Sequence, residues 1–595
     1  MKFNKQQQLA IDHKDGACVV ISGAGSGKTT LLIGRISNLI EKYNINQKDI
    51  LTISFTRNTA NELKKKLKAL NYTDVSVGTF HSICMRILSN EGIDVRNHLI
   101  PEWESKKCFE TALVTDKVDT KEILSFIGYQ KSYMKSYKDE FVFKDCKYTD
   151  DDMRLCYKAY ETLKTKNGFY DLDDYLLLCY DVLLKNKGKY TWKYLLVDEH
   201  QDSNIIQNLL IKEWINTDNI MVIGDFRQSI YGFRGALPEL FMNFYKEYKN
   251  TNVVNMDINY RSCKNLVDNS NRFIKKYYGD YKYYSDSVAN TDDNGDINKY
   301  SYFDRKEESH DIVDKIEKLI QDEHDVNEIA ILYRNNSHAD YIECELRHRK
   351  LPYQISNDSS FFKRKEITLI VGYLRLINNV HDDEAFEIVY KAQCYPTKFF
   401  GGKIFDDIKS KAGQKNISYY ESFISYNYPK TWQSSNERVF EKNIQYLKMQ
   451  NEKHISIQTL IDNIVKSFQI KEYITDKYEN IDDQTDRINS IETLKKFIKG
   501  DNLGSFIDYV NNPINKKSKD DGIKMMTIHG SKGLEFDTVF VVGIEEGKFP
   551  NAKSDLLEEA RLMYVAITRP RKNLYLSSIL DSTFVNEYFG EDIHK

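Results

Sequence analysis

ACVVISGAGSGKTTLLIGRI, residues 17–36, decides how the rest of the chain is read. An uninterrupted apolar run (17–22) leads into a glycine-rich turn, and the turn opens a helical pattern, TTLLIGRISNLI (29–40). Continuous apolar runs of this length are strands buried on both faces, the kind found in parallel sheets covered by helices. The glycines of Ser22-Gly23-Ala24-Gly25-Ser26-Gly27-Lys28-Thr29-Thr30 let backbone amides converge on phosphate oxygens. A helix N-terminus adds its partial positive charge, Lys28 is placed for the β- and γ-phosphates, and the Thr29 hydroxyl suits Mg²⁺. The strict form of this loop has glycine at its first position, where this chain has Ser22. The plain alternative, a glycine-rich turn that happens to carry Lys-Thr, lacks a reason for the strand before it and the helix after it.

Similar apolar runs recur at ILTISF (50–55), VSVGTF (75–80), YLLVDE (194–199) and IMVIGD (220–225). A second series follows at EIAILYR (328–334), IKMMTIH (523–529), TVFVVGI (538–544) and NLYLSSI (573–579). Strands alternating with helical patterns predict an α/β fold with two parallel-sheet cores. Residues 91–190 and 376–515 break the rhythm, with helical periodicity and no buried strand runs, and read as helical insertions. The expected organisation is a first core over 1–90 and 191–262 interrupted by the insertion 91–190. A second core over 263–375 and 516–595 is interrupted by the insertion 376–515.

The bulk numbers fit a large folded protein. At 595 residues the chain is too long for one core, and 41% hydrophobic with 13% aromatic residues argues against extended disorder. A net charge of −3 leaves no general cationic field, so a polyanion would need a local basic patch. The nine cysteines contain no C-x-x-C pair and read as reduced thiols, which points to a cytoplasmic protein. FNKQQQLAI (3–11) is not the apolar core of a signal peptide, and no run is long enough for a membrane span.

A phosphate loop that hydrolyses needs acids at a neighbouring strand end, and Asp198-Glu199 closes YLLVDE there. Asp198 suits the Mg²⁺ shell and Glu199 the attacking water. A lone acidic pair is usually a solvated strand end; the following His200-Gln201-Asp202 and the phosphate loop argue otherwise. Arg261 and Arg569 are candidate arginine fingers, although each by itself reads as a surface ion-pair residue.

Taken together these motifs resemble the UvrD/Rep-type superfamily 1 helicases. FNKQQQLAI is similar to the family's Q-motif, SFTRNTANELKKKL (54–67) and VGTFHS (77–82) to its DNA-side motifs, and VDEHQD (197–202) to its DE-x-QD box. GDFRQSIYGFRGA (224–236) resembles its coupling motif and NYRS (259–262) its finger segment. FFKRKEITLIVGYLRLI (361–377), MTIHGSKGLEFDTVFVVGIEEGKFP (526–550) and EEARLMYVAITRPRKNLYL (558–576) are similar to its later motifs. The resemblance implies two RecA-like motor cores with ATP and Mg²⁺ in the cleft between them, and an ATP-dependent 3′–5′ single-stranded-DNA translocase and helicase. It implies Gln7 and Tyr260 at the adenine, Glu535 at the ribose, and Gln228, Arg261 and Arg569 at the γ-phosphate. It also implies DNA contacts at Phe55, Thr79, Phe80, His81, Tyr231, Phe233, Arg234 and His529; standing alone, most of those aromatics would read as core. Tyr231 and Phe233 share a face if their segment is extended. Single-stranded DNA and duplex junctions are the expected partners, with repair or replication proteins beyond them. The rival readings are a DNA-stimulated ATPase that remodels protein–nucleic-acid complexes, and a non-catalytic, nucleotide-gated DNA-binding protein.

The chain departs from the family pattern at Thr30, where arginine is usual, at His200 for tyrosine, at Phe233 for tryptophan, and at Phe226-Arg227 for an acidic pair. The second insertion carries Phe-Phe-Gly-Gly (399–402) where relatives have a glycine-bracketed turn for duplex contact.

Overall fold

The computed structural model describes residues 3–115, 118–355, 360–478, 481–511 and 521–591. Two compact units emerge: Met1–Tyr300 with Ile528–Lys595, and Ser301–Thr527.

The first unit is built on a parallel six-stranded sheet in the order β3-β2-β4-β5-β1-β6. Its strands are β1 (Cys18–Ser22), β2 (Ile50–Ile53), β3 (Ser76–Gly78), β4 (Tyr194–Val197), β5 (Ile220–Gly224) and β6 (Asn252–Met256). All residues of β1, β2, β4 and β5 are buried, as expected for strands covered on both faces. In register, Val19 lies beside Val222 on one side and Val253 on the other, which makes β1 a central strand. The phosphate loop leaves its C-terminal end, where parallel α/β sheets gather their ligands. β6 was not among the expected strands; Asn252–Met256 is an edge strand with alternating burial rather than an apolar run.

α1 (Lys5–Asp12) begins on a capping box between Asn4 and Gln7, and α2 (Lys28–Glu41) starts directly from Gly27. α3 (Arg57–Ala69) and α4 (Phe80–Asn90) follow β2 and β3. Residues 91–190 carry α5 (Glu102–Leu113), α6 (Thr120–Ser132), α7 (Asp150–Asn167) and α8 (Leu172–Lys185), with no β-strand among the described residues. α6, α7 and α8 are tied by a buried charge cluster. Lys131 and Lys164 both lie within 3.0 Å of Glu161, Asp171 and Asp174. These three carboxylates have the spacing of a cation site, and the two ammonium groups meet that need. The first unit also holds the parallel strands Phe536–Ile544 and Pro570–Ile579, joined by the helix Leu556–Ile567.

In the second unit the strand Ile523–Thr527 pairs in parallel with Ile329–Tyr333 and with Tyr353–Gln354. The rest of this unit is mainly helical. Its apolar cluster gathers the Lys365–Asn378 helix and its neighbours, with Tyr373 stacked on Phe468 at 3.8 Å between ring centroids. The fold is thus α/β with parallel sheets and helical insertions, the architecture of two RecA-like cores. No helix among the described residues is long and apolar enough to cross a membrane.

Candidate functional site

The loop after β1 is tight enough to exclude side chains where a triphosphate needs backbone. Gly25 and Gly27 have φ of +68° and +86°, in the left-handed region that glycine alone enters freely. A Cβ built on Gly25 would stand 2.6 Å from Arg261 Cβ, and one on Gly27 would meet Gln7 Nε2 at 3.0 Å. Ser22, standing in the usual glycine position, is accommodated by its partner: its hydroxyl pairs with Ser26 Oγ at 2.6 Å, and Ser26 Oγ donates to Gly23 O. Gln7 Nε2 donates to Ser26 O at 3.1 Å, and Asn4 Nδ2 donates to Tyr260 Oη at 2.8 Å. Tyr260 is 47% exposed beside the loop, and its amide donates to Gly25 O. The exposed Thr29 and Thr30 begin α2.

Lys28 Nζ lies 3.1 Å from Glu199 Oε1 at the end of β4. Burial works against the Lys28 charge, but Glu199, Asp198 and Asp225 more than offset it and hold its pKa above the ordinary value. Burial alone would raise Glu199; Lys28 and Lys532 hold it below the usual carboxylate range. Asp198 goes the other way, pushed up by burial and by the charge of Glu199. Glu199 itself sits at φ +53°, an uncommon conformation for a non-glycine residue, and Gln201 Nε2 donates to its Oε2 at 2.5 Å.

The residues far apart in sequence meet at the same place. Arg569 is 2% exposed and donates through Nη2 to Gln228 Oε1 at 2.9 Å, through Nε to Val565 O and through Nη1 to Leu534 O. Burial and the neighbouring Arg261 charge draw its pKa down to about 9. Arg261 donates through Nε to Glu535 Oε2 at 2.6 Å and through Nη1 to Thr568 O at 3.0 Å. Glu535 also accepts from Arg571. The loop geometry, with Lys28, Arg261 and Arg569 as cations and Asp198 and Glu199 as acids, fits a nucleoside triphosphate with a divalent cation. Among the described residues, Asp202 Oδ1 is buried without a protein hydrogen-bond partner.

The candidate DNA contacts also converge. Phe55, Thr79, Phe80, His81, Tyr231, Phe233 and Arg234 line one groove of about 510 Å³. Phe55 stacks on Tyr231 at 5.2 Å, Tyr231 meets Phe233 edge-on at 6.1 Å, and His529 lies 5.7 Å from Phe233. Arg234 lies over both Tyr231 and Phe233. The condition of an extended segment is not met: Gly232–Arg234 form a 3-10 turn, which brings the two rings together by curvature rather than alternation. Phe80 is 4% exposed and stacks on Trp214 at 5.9 Å, so most of its ring faces the core rather than the groove. Thr79 caps α4.

Sequence reading missed three kinds of participant. Tyr129 on α6 and Leu172 and Asp173 on α8 line the groove from the insertion, which no motif announces. Lys532 pairs with Asp202, donates to Gln228 O at 2.7 Å and lies over the Tyr231 ring, touching both the phosphate side and the groove. It stands in GSKGLEF (530–536), the segment whose family resemblance is the signal for it. Arg227 is the third; it packs behind the loop at Gly23.

A phosphate loop, an acidic strand end, converging arginines and an aromatic groove define a nucleotide-driven nucleic-acid motor. Residues 3–249 match the UvrD/REP helicase N-terminal domain and residues 254–581 the UvrD-like helicase C-terminal domain. The chain belongs to the UvrD-like helicase family. It is similar to the ATP-dependent DNA helicase PcrA of Leuconostoc citreum, 29% identical over 97% of this chain and 82% of that protein. The PcrA proteins of Staphylococcus epidermidis and Staphylococcus aureus are 29% and 28% identical, each over 97% of this chain and 83% of their own length.

Proposed function

We propose that this ATP-dependent DNA helicase of the PcrA/UvrD type moves 3′ to 5′ along single-stranded DNA and separates the duplex ahead of it. The observation that carries the reading is the short path from phosphate to strand. Gln228, bonded to Arg569, lies three residues before Tyr231, which is stacked on Phe55 in the groove.

Glu199 is the base that orients and deprotonates the attacking water, and its low pKa, set against burial by Lys28, keeps it ionised. Lys28, Arg261 and Arg569 neutralise charge developing on the transferred phosphoryl group, for which a finger is worth about 10³–10⁵ in rate. Gln228 senses the γ-phosphate, Gln7 and Tyr260 hold the adenine, and Glu535 holds the ribose. Thr29 and Asp198 would hold Mg²⁺, which when bound neutralises phosphate charge. In the groove, Tyr231 and Phe233 stack bases and Arg234 meets the backbone, with Phe55, Thr79, His81 and His529 beside them. Loss of the γ-phosphate changes what Gln228 and Arg569 can contact, and Lys532 passes that change to the Tyr231 ring. The cores comprise 1–90 with 191–262 and 263–375 with 516–595, the insertions 91–190 and 376–515. Repair or replication proteins in the cytoplasm are the setting this reading favours.

Strand displacement on 3′-tailed, 5′-tailed and blunt duplexes tests it. ATP-dependent unwinding of the 3′-tailed substrate alone is expected. Brisk DNA-stimulated ATPase with no unwinding of any substrate would instead assign a remodeller of protein–nucleic-acid complexes.

A further inference from the structure

Arg227 stands in the 3-10 turn Phe226–Gln228 after β5 and is 3% exposed. A guanidinium keeps its charge at any ordinary pH, so burying one is costly unless it is paired. Here Nε donates to Asp225 Oδ1 at 2.7 Å, Nη2 to Asp225 Oδ2 at 3.4 Å and Nη1 to Ser285 O at 3.3 Å. The rings of Tyr564, Phe226 and Tyr284 surround it at 5.4, 5.7 and 5.9 Å. Its far end packs beneath the phosphate loop, where a Cβ built on Gly23 would stand 3.1 Å from Nη2.

Asp225 is fully buried and shared. Its Oδ2 also accepts from Gln228 Nε2 at 2.8 Å. With its nitrogen on Asp225, the amide turns its oxygen to the other side, where Gln228 Oε1 accepts from Arg569 at 2.9 Å. Polar contacts therefore run without a break from Arg227 through Asp225 and Gln228 to Arg569, and the guanidinium packs beneath Gly23. Tyr564, against Arg227, belongs to the helix Leu556–Ile567, just before Arg569. The family resemblance leads one to expect an acid at position 227, and an acid beside Asp225 could make none of these contacts.

The geometry points to Arg227 as a positioning residue: by fixing Asp225 it holds the Gln228 amide in one orientation, and so sets Gln228 and Arg569 on the phosphate side of the loop. This rests on the reading of Gln228 and Arg569 as γ-phosphate groups. Without Arg227, Asp225 is a buried carboxylate lacking its cation, and it competes for the amide and for nearby cations.

The test uses the full chain as Arg227→Met, Arg227→Lys, the double variant Arg227→Met with Asp225→Asn, and Gln228→Ala. Single-stranded-DNA-stimulated ATP turnover, KM for ATP, equilibrium binding of a fluorescent ATP analogue and the melting temperature are measured. Arg227→Met is expected to lower kcat about 10²-fold, the scale of a roughly 1 Å misplacement, while analogue binding and KM hold. Arg227→Lys recovers part of the loss, because an ammonium reaches Asp225 without the fork. The double variant removes the unpaired carboxylate and restores the melting temperature but not kcat. If Arg227→Met does not fold, the other two variants carry the same comparison. Recovery of kcat in the double variant, or wild-type kcat in Arg227→Met, overturns the inference. Wild-type turnover in Gln228→Ala overturns the underlying reading of the phosphate side, and a normal Arg227→Met beside an impaired Gln228→Ala overturns this inference alone.

Discussion

Gln228 and Arg569, 341 positions apart in the chain, are joined by a hydrogen bond of 2.9 Å from the guanidinium to the amide oxygen. The backbone oxygen of the same glutamine accepts from Lys532, which lies over the Tyr231 ring. One residue thus touches a candidate phosphate reader through its side chain and the groove's neighbour through its backbone. Gln228→Ala keeps the backbone contact and removes the side-chain one. ATP turnover is expected to persist at a reduced level while unwinding is lost, so the ATP consumed per base pair displaced rises. An unchanged ratio in paired hydrolysis and displacement assays would contradict the coupling role.

Phe233 is 47% exposed at the groove, where its ring meets Tyr231, Arg234 and His529. A stacked base is worth about 1–3 kcal/mol, so Phe233→Ala should weaken single-stranded DNA binding by roughly 5- to 150-fold. DNA-independent ATPase should stay at the wild-type level. Phe80→Ala makes the contrast: it empties a buried site against Trp214 and is expected to cost about 3–5 kcal/mol of stability. Fluorescence anisotropy with labelled oligonucleotides and thermal melts separate the two.

Gly25→Ala addresses the loop. The new methyl would sit 2.6 Å from Arg261 Cβ and 2.8 Å from Asn259 Oδ1, in a residue held at φ +68°. The loop must then shift, and nucleotide affinity should fall by at least an order of magnitude, about 1.4 kcal/mol. DNA binding without nucleotide should survive, which titration with an ATP analogue and with an oligonucleotide would show.

Much of this was legible because the central strands are continuous apolar runs. β1, β2, β4 and β5 are buried along their whole length, and each ends beside a residue that the motifs single out. β6 escaped because an edge strand such as NVVNM alternates in burial and carries no apolar run. The two arginines of the coupling segment look alike in sequence but point apart. Arg234 covers the groove rings, whereas Arg227 is buried beneath Gly23, a difference set by tertiary packing. The contributions of Tyr129, Leu172 and Asp173 to the groove were equally hidden, since they depend on how α6 and α8 lie against the first sheet's loops.

The charge cluster of the first insertion makes a stability prediction. Lys131 is 2% exposed among Glu161, Asp171 and Asp174, and its replacement leaves buried carboxylates with one cation fewer. Lys131→Met is expected to cost about 3–5 kcal/mol, the range for breaking a buried ion pair. Burial would raise the Asp171 carboxyl, but Lys131 and Lys164 hold it well below the ordinary range. The folded state therefore binds this proton less readily than the unfolded chain. Its stabilisation is complete above the unfolded aspartate value of about 3.9 and is lost as pH falls below it. Asp171→Asn should flatten that acid limb in melts taken across the pH range.

Glu199 lies 3.1 Å from Lys28, placed for its proposed role of activating the water that hydrolyses ATP. Glu199→Gln keeps the shape and removes the base. Its DNA-stimulated ATP turnover should collapse by about 10²–10⁴-fold, the usual share of general-base catalysis, while binding of ATP and of single-stranded DNA remains. Turnover at the wild-type rate in this variant would rule out Glu199 as the base.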